Sequence, residues 1–186
     1  MIRECEGIIW HHSFTEDDFT LPNVYAIDKY HTSWRYNGKI ITEKEALELI
    51  KQGVETVERP WRSNGYNYLI EKISNKIKIY SRRNFNIECG AHTNGKNCKM
   101  LGVCIIGNFD ATPVPDDILD VASKLGAALM KQYNTTKNYK HRDFAPYKSC
   151  PGNKFQWKTF LTKIAFEYLF KHPILNQVLE NYKPEE

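Results

Sequence analysis

The chain predicts an α/β domain with a mixed central sheet flanked by helices. Two observations carry this. Apolar and β-branched runs at residues 7–12, 66–80 and 102–109 have the length of strands, and helical periodicities stand between and after them. The 186 residues also contain no internal repeat, low-complexity tract or linker, so residues 1–186 are expected to form one domain.

Taken in order, residues 7–12 read as a buried strand ending in His11 and His12. Residues 24–34 are expected to form a helix, with Tyr30 and Trp34 at helical spacing. Thr42 followed by Glu45 three positions later has the form of a capping box, opening a short helix to about Gln52. The runs 66–73 and 76–80 flank Ser74-Asn75 and predict a hairpin. Residues 102–109, rich in Val and Ile, predict a central strand. A helix begins at Asp116 or Asp117, with Ile118, Ala122, Leu125 and Leu129 on one face. A short strand leads into His141. The last helix spans about 154–170, grouping Trp157, Leu161, Ile164 and Tyr168, and Pro173 helps to end it.

The bulk numbers describe an ordinary globular protein, 41% hydrophobic and 13% aromatic, with a core of useful size. The net charge of +4 suits an anionic polymer but is too mild to define one. No basic run with interleaved aromatics marks a nucleic-acid binder. The apolar run after the charged first residues stops at Trp10, too short for a signal peptide or a membrane span. The five cysteines are odd in number and irregular in spacing, which argues against a disulfide framework and for synthesis in a reducing cytoplasm. Cys89, Cys98 and Cys104 fit no zinc knuckle and are expected to be packed core thiols.

The chemistry-bearing segments are Trp10-His11-His12-Ser13 and the block from His141 through Lys148-Ser149-Cys150-Pro151-Gly152. A histidine and a cysteine nine positions apart across a loop, with a second histidine from a distant strand, read as a zinc site. Three protein ligands leave one tetrahedral position open, the arrangement of a catalytic rather than a structural zinc. His11 and His12 are neighbours on a strand and face opposite ways, so one of them is the ligand and the other packs or hydrogen-bonds nearby. A Cys150–His141 nucleophilic pair is the rival reading, and it leaves His11 and Tyr66 unexplained. Asp17-Asp18 and Asp116-Asp117 are read as solvated helix caps rather than a glycosidase pair. His31 reads as structural, and Trp157, Phe160 and Phe166 read as packing residues.

Four segments in the same order resemble the zinc-dependent N-acetylmuramoyl-L-alanine amidases, which include phage amidase-type lysozymes and peptidoglycan recognition proteins. They are Ile8-Ile9-Trp10-His11-His12-Ser13; Gly65-Tyr66-Asn67-Tyr68-Leu69-Ile70; Gly90-Ala91-His92-Thr93 through Asn97 to the run ending at Phe109; and the His141 to Gly152 block. Four motifs in register are far more specific than one. The resemblance implies that His11, His141 and Cys150 hold one Zn2+. It also implies that Tyr66 and Lys148 are catalytic and that His92 and Asn97 line the substrate groove. Two departures stand out. The His141–Cys150 loop is one residue longer than in shorter relatives, and residues 37–64 form an insertion that either walls the groove or decorates the surface.

The expected activity is hydrolysis, by zinc-activated water, of the amide between N-acetylmuramic acid and the L-alanine of the stem peptide. Tyr66 and Lys148 would stabilise the oxyanion and manage protons. The alternative is a recognition module that binds peptidoglycan without cutting it. The expected setting is a monomeric phage-type endolysin, made in the cytoplasm without a signal peptide and released to the wall through a holin.

Overall fold

The computed structural model describes residues 3–16 and 23–170. Asp17-Asp18 and Pro173 lie outside them. A five-stranded mixed sheet is ordered β5-β4-β6-β1-β7. Its strands are β1 (Gly7–His12), β4 (Tyr68–Ile73), β5 (Lys76–Ser81), β6 (Met100–Ile105) and β7 (Asn138–Lys140). β6 runs parallel to both β1 and β4, and β7 runs parallel to β1. Within this sheet, among the described residues, only the β4–β5 hairpin is antiparallel, and Ser74 and Asn75 turn it with positive φ of 47° and 64°. Asparagine tolerates that region better than most residues, which makes Ser-Asn a workable two-residue turn.

The strands at the centre are buried on both faces, as parallel strands with helices on either side must be. Helices α3 (Asp116–Gln132) and α4 (Trp157–Phe170) pack together on one face. There the Trp10 ring meets Phe160 edge-on at 4.7 Å and closes against Gly126, where an added Cβ would lie 3.1 Å from the indole. Ile8, Leu101, Val103, Ile105, Ile118, Ala122 and Ile164 complete that core. On the other face a smaller cluster of Val24, Leu69, Cys104 and Ile106 lies under α1 (Val24–His31). The fold is thus a single domain with four helices among the described residues. None of these is long and apolar enough to cross a membrane.

Several sequence expectations change. The helix predicted over 24–34 ends at His31, and Trp34 opens β2 (Trp34–Tyr36), paired with β3 (Lys39–Ile41). The two N–H groups of Thr32 and Ser33 close the helix end onto Asp28 and Tyr30 carbonyls, so the aromatic spacing of Tyr30 and Trp34 crosses a boundary. The central strand starts two residues earlier than predicted, at Met100, and leaves the sheet after Ile105. The capping box is present: Thr42 Oγ1 accepts from Glu45 N, and the Glu45 carboxylate accepts from Thr42 N, opening α2 (Glu43–Lys51). In α4, Phe160 and Ile164 are buried and Trp157, Leu161 and Tyr168 pack beside them. Phe166 does not join them. It is 53% exposed and lies against Phe170.

The cysteine reading is also corrected. Cys89 and Cys98 form a disulfide, with Cα atoms 4.4 Å apart. Neither is a core thiol: Cys98 is exposed and Cys89 half-buried. Spacing could not reveal this bond, because it depends on the 89–98 loop doubling back through Gly90 N–H donating to the Asn97 carbonyl at 2.8 Å. Cys5, Cys104 and Cys150 are buried free thiols.

Candidate metal centre and catalytic cavity

β1 supplies the first histidine. Ile8 and Trp10 point into the α3–α4 core, so strand alternation turns His11 to the opposite face, beside its register partner Cys104 of β6. His12 turns back, where its Nδ1 accepts the Phe109 N–H at 3.2 Å and its ring lies 6.1 Å from Phe109. Pairing of β7 with β1 delivers His141 directly after Lys140, and the His11 and His141 ring centroids are 4.4 Å apart.

The loop from His141 to Cys150 is closed on itself. His141 opens a 3₁₀ turn, its carbonyl accepting from Phe144 and Ala145, and Arg142 N–H donates to the Cys150 carbonyl at 3.0 Å. The Arg142 guanidinium reaches the Gly152 carbonyl at 2.7 Å. Asp110 secures the far end, accepting from Ser149 Oγ at 2.5 Å and from Asn153 N at 2.6 Å. The result is convergence: one ligand atom each of His11, His141 and Cys150 lies within 4.8 Å of the other two. Cys150 Sγ is 3.7 Å from His11 Nδ1 and accepts the His12 N–H at 3.4 Å.

Burial shapes the electrostatics of this cluster. It holds the His11 imidazole well below its usual pKa and lowers His141 to about 4, with the Lys148 charge adding to both. It pushes the Cys150 thiol up to about 12, partly offset by the His12 N–H and by Lys148. Two neutral imidazoles and a thiol, all buried and converging, are a donor set of the kind that binds Zn2+, and a bound cation would hold the sulfur as thiolate. The residues fit the metal.

These groups sit at the base of a cavity of about 450 Å³. Tyr66, two residues before β4, lines it, its ring 5.1 Å from that of His11. Burial raises the Tyr66 phenol well above its usual pKa, and hydrogen bonding with the Cys104 thiol adds to this, so the hydroxyl remains a donor. Lys148 is exposed at the rim, its ammonium 5.9 Å from the Tyr147 ring. His92 borders the cavity with its ring buried and its pKa lowered to about 3 by desolvation. Its Nδ1 is 3.2 Å from His11 Nε2. The structure does not bring Asn97 into the cavity lining: its side-chain oxygen accepts from His92 N and Thr93 N within its own loop, both at 2.8 Å.

Sequence reasoning missed other lining residues. Trp61, from the 37–64 segment, packs tilted against His31 with ring centroids 4.5 Å apart and lines the cavity, so that segment contributes to one wall. His31 itself lines it and accepts the Gly65 N–H at 3.2 Å. Phe14 and Tyr147 stand exposed at the mouth, 63% and 86% accessible. Phe14 holds a positive φ of 59°, uncommon for a bulky residue. The signal available for the aromatics was position: Phe14 directly follows the first motif, Trp61 stands four residues before Gly65, and Tyr147 lies inside the last motif.

The family model described as N-acetylmuramoyl-L-alanine amidase matches residues 3–153. The chain belongs to this amidase family. Among its relatives, the endolysin of Enterobacteria phage T3 is 29% identical over 101 residues, which are 51% of this chain and 63% of that protein. Peptidoglycan-recognition protein LB of Drosophila melanogaster is 31% identical over 106 residues, 55% of this chain and 44% of that protein. The chain therefore spans less than two thirds of either relative's length. The amidase fold extends further than these sequence matches. The N-acetylmuramoyl-L-alanine amidase LysC from Clostridium intestinale superposes with a TM-score of 0.57 at 23% identity, covering 88% of this chain and 87% of that one.

Proposed function

We propose that this chain is a zinc-dependent peptidoglycan hydrolase that cuts the amide between the lactyl group of N-acetylmuramic acid and the L-alanine of the stem peptide. The observation that supports it most is the convergence of His11, His141 and Cys150 at the base of an open cavity, with the Tyr66 side chain in the same wall. Zinc held there would supply Lewis acidity and generate a nucleophile from water near neutral pH.

The chain's own groups supply the rest. The Tyr66 hydroxyl, kept protonated by burial, donates to the carbonyl oxygen as it becomes an anion. The Lys148 ammonium adds positive charge from the rim, and its field already reaches His11, His141 and Cys150. The cavity has no carboxylate in its lining among the described residues, and we assign orientation of the water and relay of its proton to Tyr66. The 89–98 loop, with His92 at the cavity edge and Asn97 fixing its shape, forms the wall against which the stem peptide lies. The exposed aromatic rings of Phe14 and Tyr147 offer apolar faces to a glycan or peptide at the entrance.

In this reading the enzyme is a monomeric phage-type endolysin acting on the wall after release. The Cys89–Cys98 disulfide is compatible with work outside a reducing cytoplasm. The test is digestion of purified peptidoglycan, with released termini identified by mass spectrometry and zinc measured in the same preparation. New L-alanine amino termini, lost with chelator and restored by zinc, are expected. Binding to the wall without any new termini would reassign the chain as a recognition module. Activity that survives chelation but not thiol alkylation would reassign it as a cysteine hydrolase.

A further inference from the structure

The hydrogen bonds around His92 determine where the protons of two neighbouring imidazoles sit. His92 Nε2 lies 3.3 Å from the Met100 carbonyl oxygen, which can only accept. A neutral ring carries one N–H, so that proton is on Nε2 and Nδ1 is a lone pair. His92 Nδ1 in turn faces His11 Nε2 at 3.2 Å. With a lone pair on the His92 side, the proton in this contact belongs to His11 Nε2, and the Thr93 hydroxyl, 3.1 Å from the same Nδ1, shares that single lone pair. His11 is then left with its lone pair on Nδ1, the atom 3.7 Å from Cys150 Sγ. A carbonyl at one end of the pair thus sets the tautomer at the other.

The His92 ring has little freedom to leave this position. It lies in a slot between Gly90 and Gly102, where a Cβ on either residue would stand 2.5 Å or 2.4 Å from His92 Cδ2. Its backbone is held by Asn97 Oδ1, which accepts the His92 and Thr93 N–H groups. The loop that carries Gly90, His92, Thr93 and Asn97 is closed at its base by Cys89–Cys98.

We propose that His92 is a positioning residue for His11, fixing the tautomer that presents Nδ1 to the metal, and that the Cys89–Cys98 disulfide holds His92 in place. This rests on the reading of His11 as a zinc ligand. Outer hydrogen-bond partners of ligating histidines are typically worth about 10–100-fold in metal affinity.

The experiment is a zinc titration of apo-protein against a chromophoric chelator, with thermal unfolding of each variant alongside. His92→Leu removes the acceptor and should weaken zinc binding about 10–100-fold. His92→Asn places Oδ1 where Nδ1 was and should recover most of the affinity, a separation that a purely space-filling role would not produce. The double variant Cys89→Ser/Cys98→Ser should fold and bind zinc more weakly than wild type. In the apo-protein, imidazole nitrogen shifts should show His11 protonated on Nε2. Wild-type affinity in His92→Leu, equal loss in His92→Leu and His92→Asn, or a His11 protonated on Nδ1 would overturn the positioning role. Undiminished affinity in the double serine variant, or five alkylatable thiols in the denatured wild type instead of three, would overturn the role of the disulfide. Absence of zinc binding by the wild type would instead overturn the metal site itself.

Discussion

The His12 N–H donates to the Cys150 sulfur at 3.4 Å, while the neighbouring His11 offers its ring to the same sulfur at 3.7 Å. One strand end therefore supplies the site with both a candidate ligand and a hydrogen-bond donor. A backbone N–H to sulfur favours the thiolate, as its lowering contribution at Cys150 reflects. Cys150→Ser and His141→Ala should each lose most of the zinc, because two remaining protein ligands cannot hold it well. Metal content of purified variants checks this. A folded Cys150→Ser protein with full zinc and full activity would sink the metal assignment.

His11 and His12 should separate by function. His11→Ala should abolish zinc binding. His12→Ala should retain it but lose roughly 1–3 kcal/mol of stability, since the Phe109 N–H loses its buried acceptor. Zinc analysis and denaturant titration of both variants distinguish them. Zinc loss in His12→Ala with retention in His11→Ala would reverse the roles.

The fold was most legible where local chemistry decides it. Thr42 and Glu45 announced their helix because a capping box is satisfied within four residues. Ser74-Asn75 announced its hairpin because the turn needs positive φ at both positions. Trp34 misled because helical spacing says nothing about where backbone N–H groups turn back, and here they do so at Thr32. Phe166 misled because apolar character does not choose which side of α4 meets α3. At the site, the motif residues were visible as chemistry, whereas Trp61 entered the cavity wall through a tertiary contact with His31, and Cys89–Cys98 through a loop reversal. Neither leaves a periodic or compositional trace.

The core makes a stability prediction independent of function. Phe160 is fully buried and packs edge-on against Trp10, Phe155 and, more tilted, Trp157. Phe160→Ala should cost about 3–5 kcal/mol. Phe166→Ala, at an exposed position on the same helix, should stay within about 0.5 kcal/mol of wild type. Urea unfolding of the two proteins provides the comparison. Equal losses would mean that α4 packs through a different face.

Tyr66→Phe removes the hydroxyl and keeps the ring packed against the small cluster under α1. Zinc content and melting temperature should therefore survive, while turnover falls roughly 10²–10³-fold with a much smaller change in KM. Lys148→Ala should also lower turnover, since it removes the positive charge that the exposed rim position brings to the site. The readout is the release of L-alanine amino termini by zinc-loaded variants. Wild-type turnover in Tyr66→Phe would remove the hydroxyl from the mechanism.

The last prediction concerns acid. His31 ends α1 buried against Trp61, accepting the Gly65 N–H, and desolvation lowers its pKa to about 4, with the nearby Arg35 charge adding to the effect and Asn64 and Asp28 opposing it. The unfolded chain takes up its proton near pH 6.5 while the folded chain resists until about 4. The unfolded state therefore binds more protons across that window, and stability falls as the pH drops through it. The contribution of this one ring is on the order of 3 kcal/mol, and the lowered His12 and His92 act in the same direction. In chelator-treated protein, the melting temperature should decline steadily between pH 6.5 and 4. His31→Gln keeps a carbonyl acceptor for Gly65 N–H but cannot protonate, so its decline should be shallower. Parallel curves for the two proteins would mean that the His31 ring is not held neutral in the folded state.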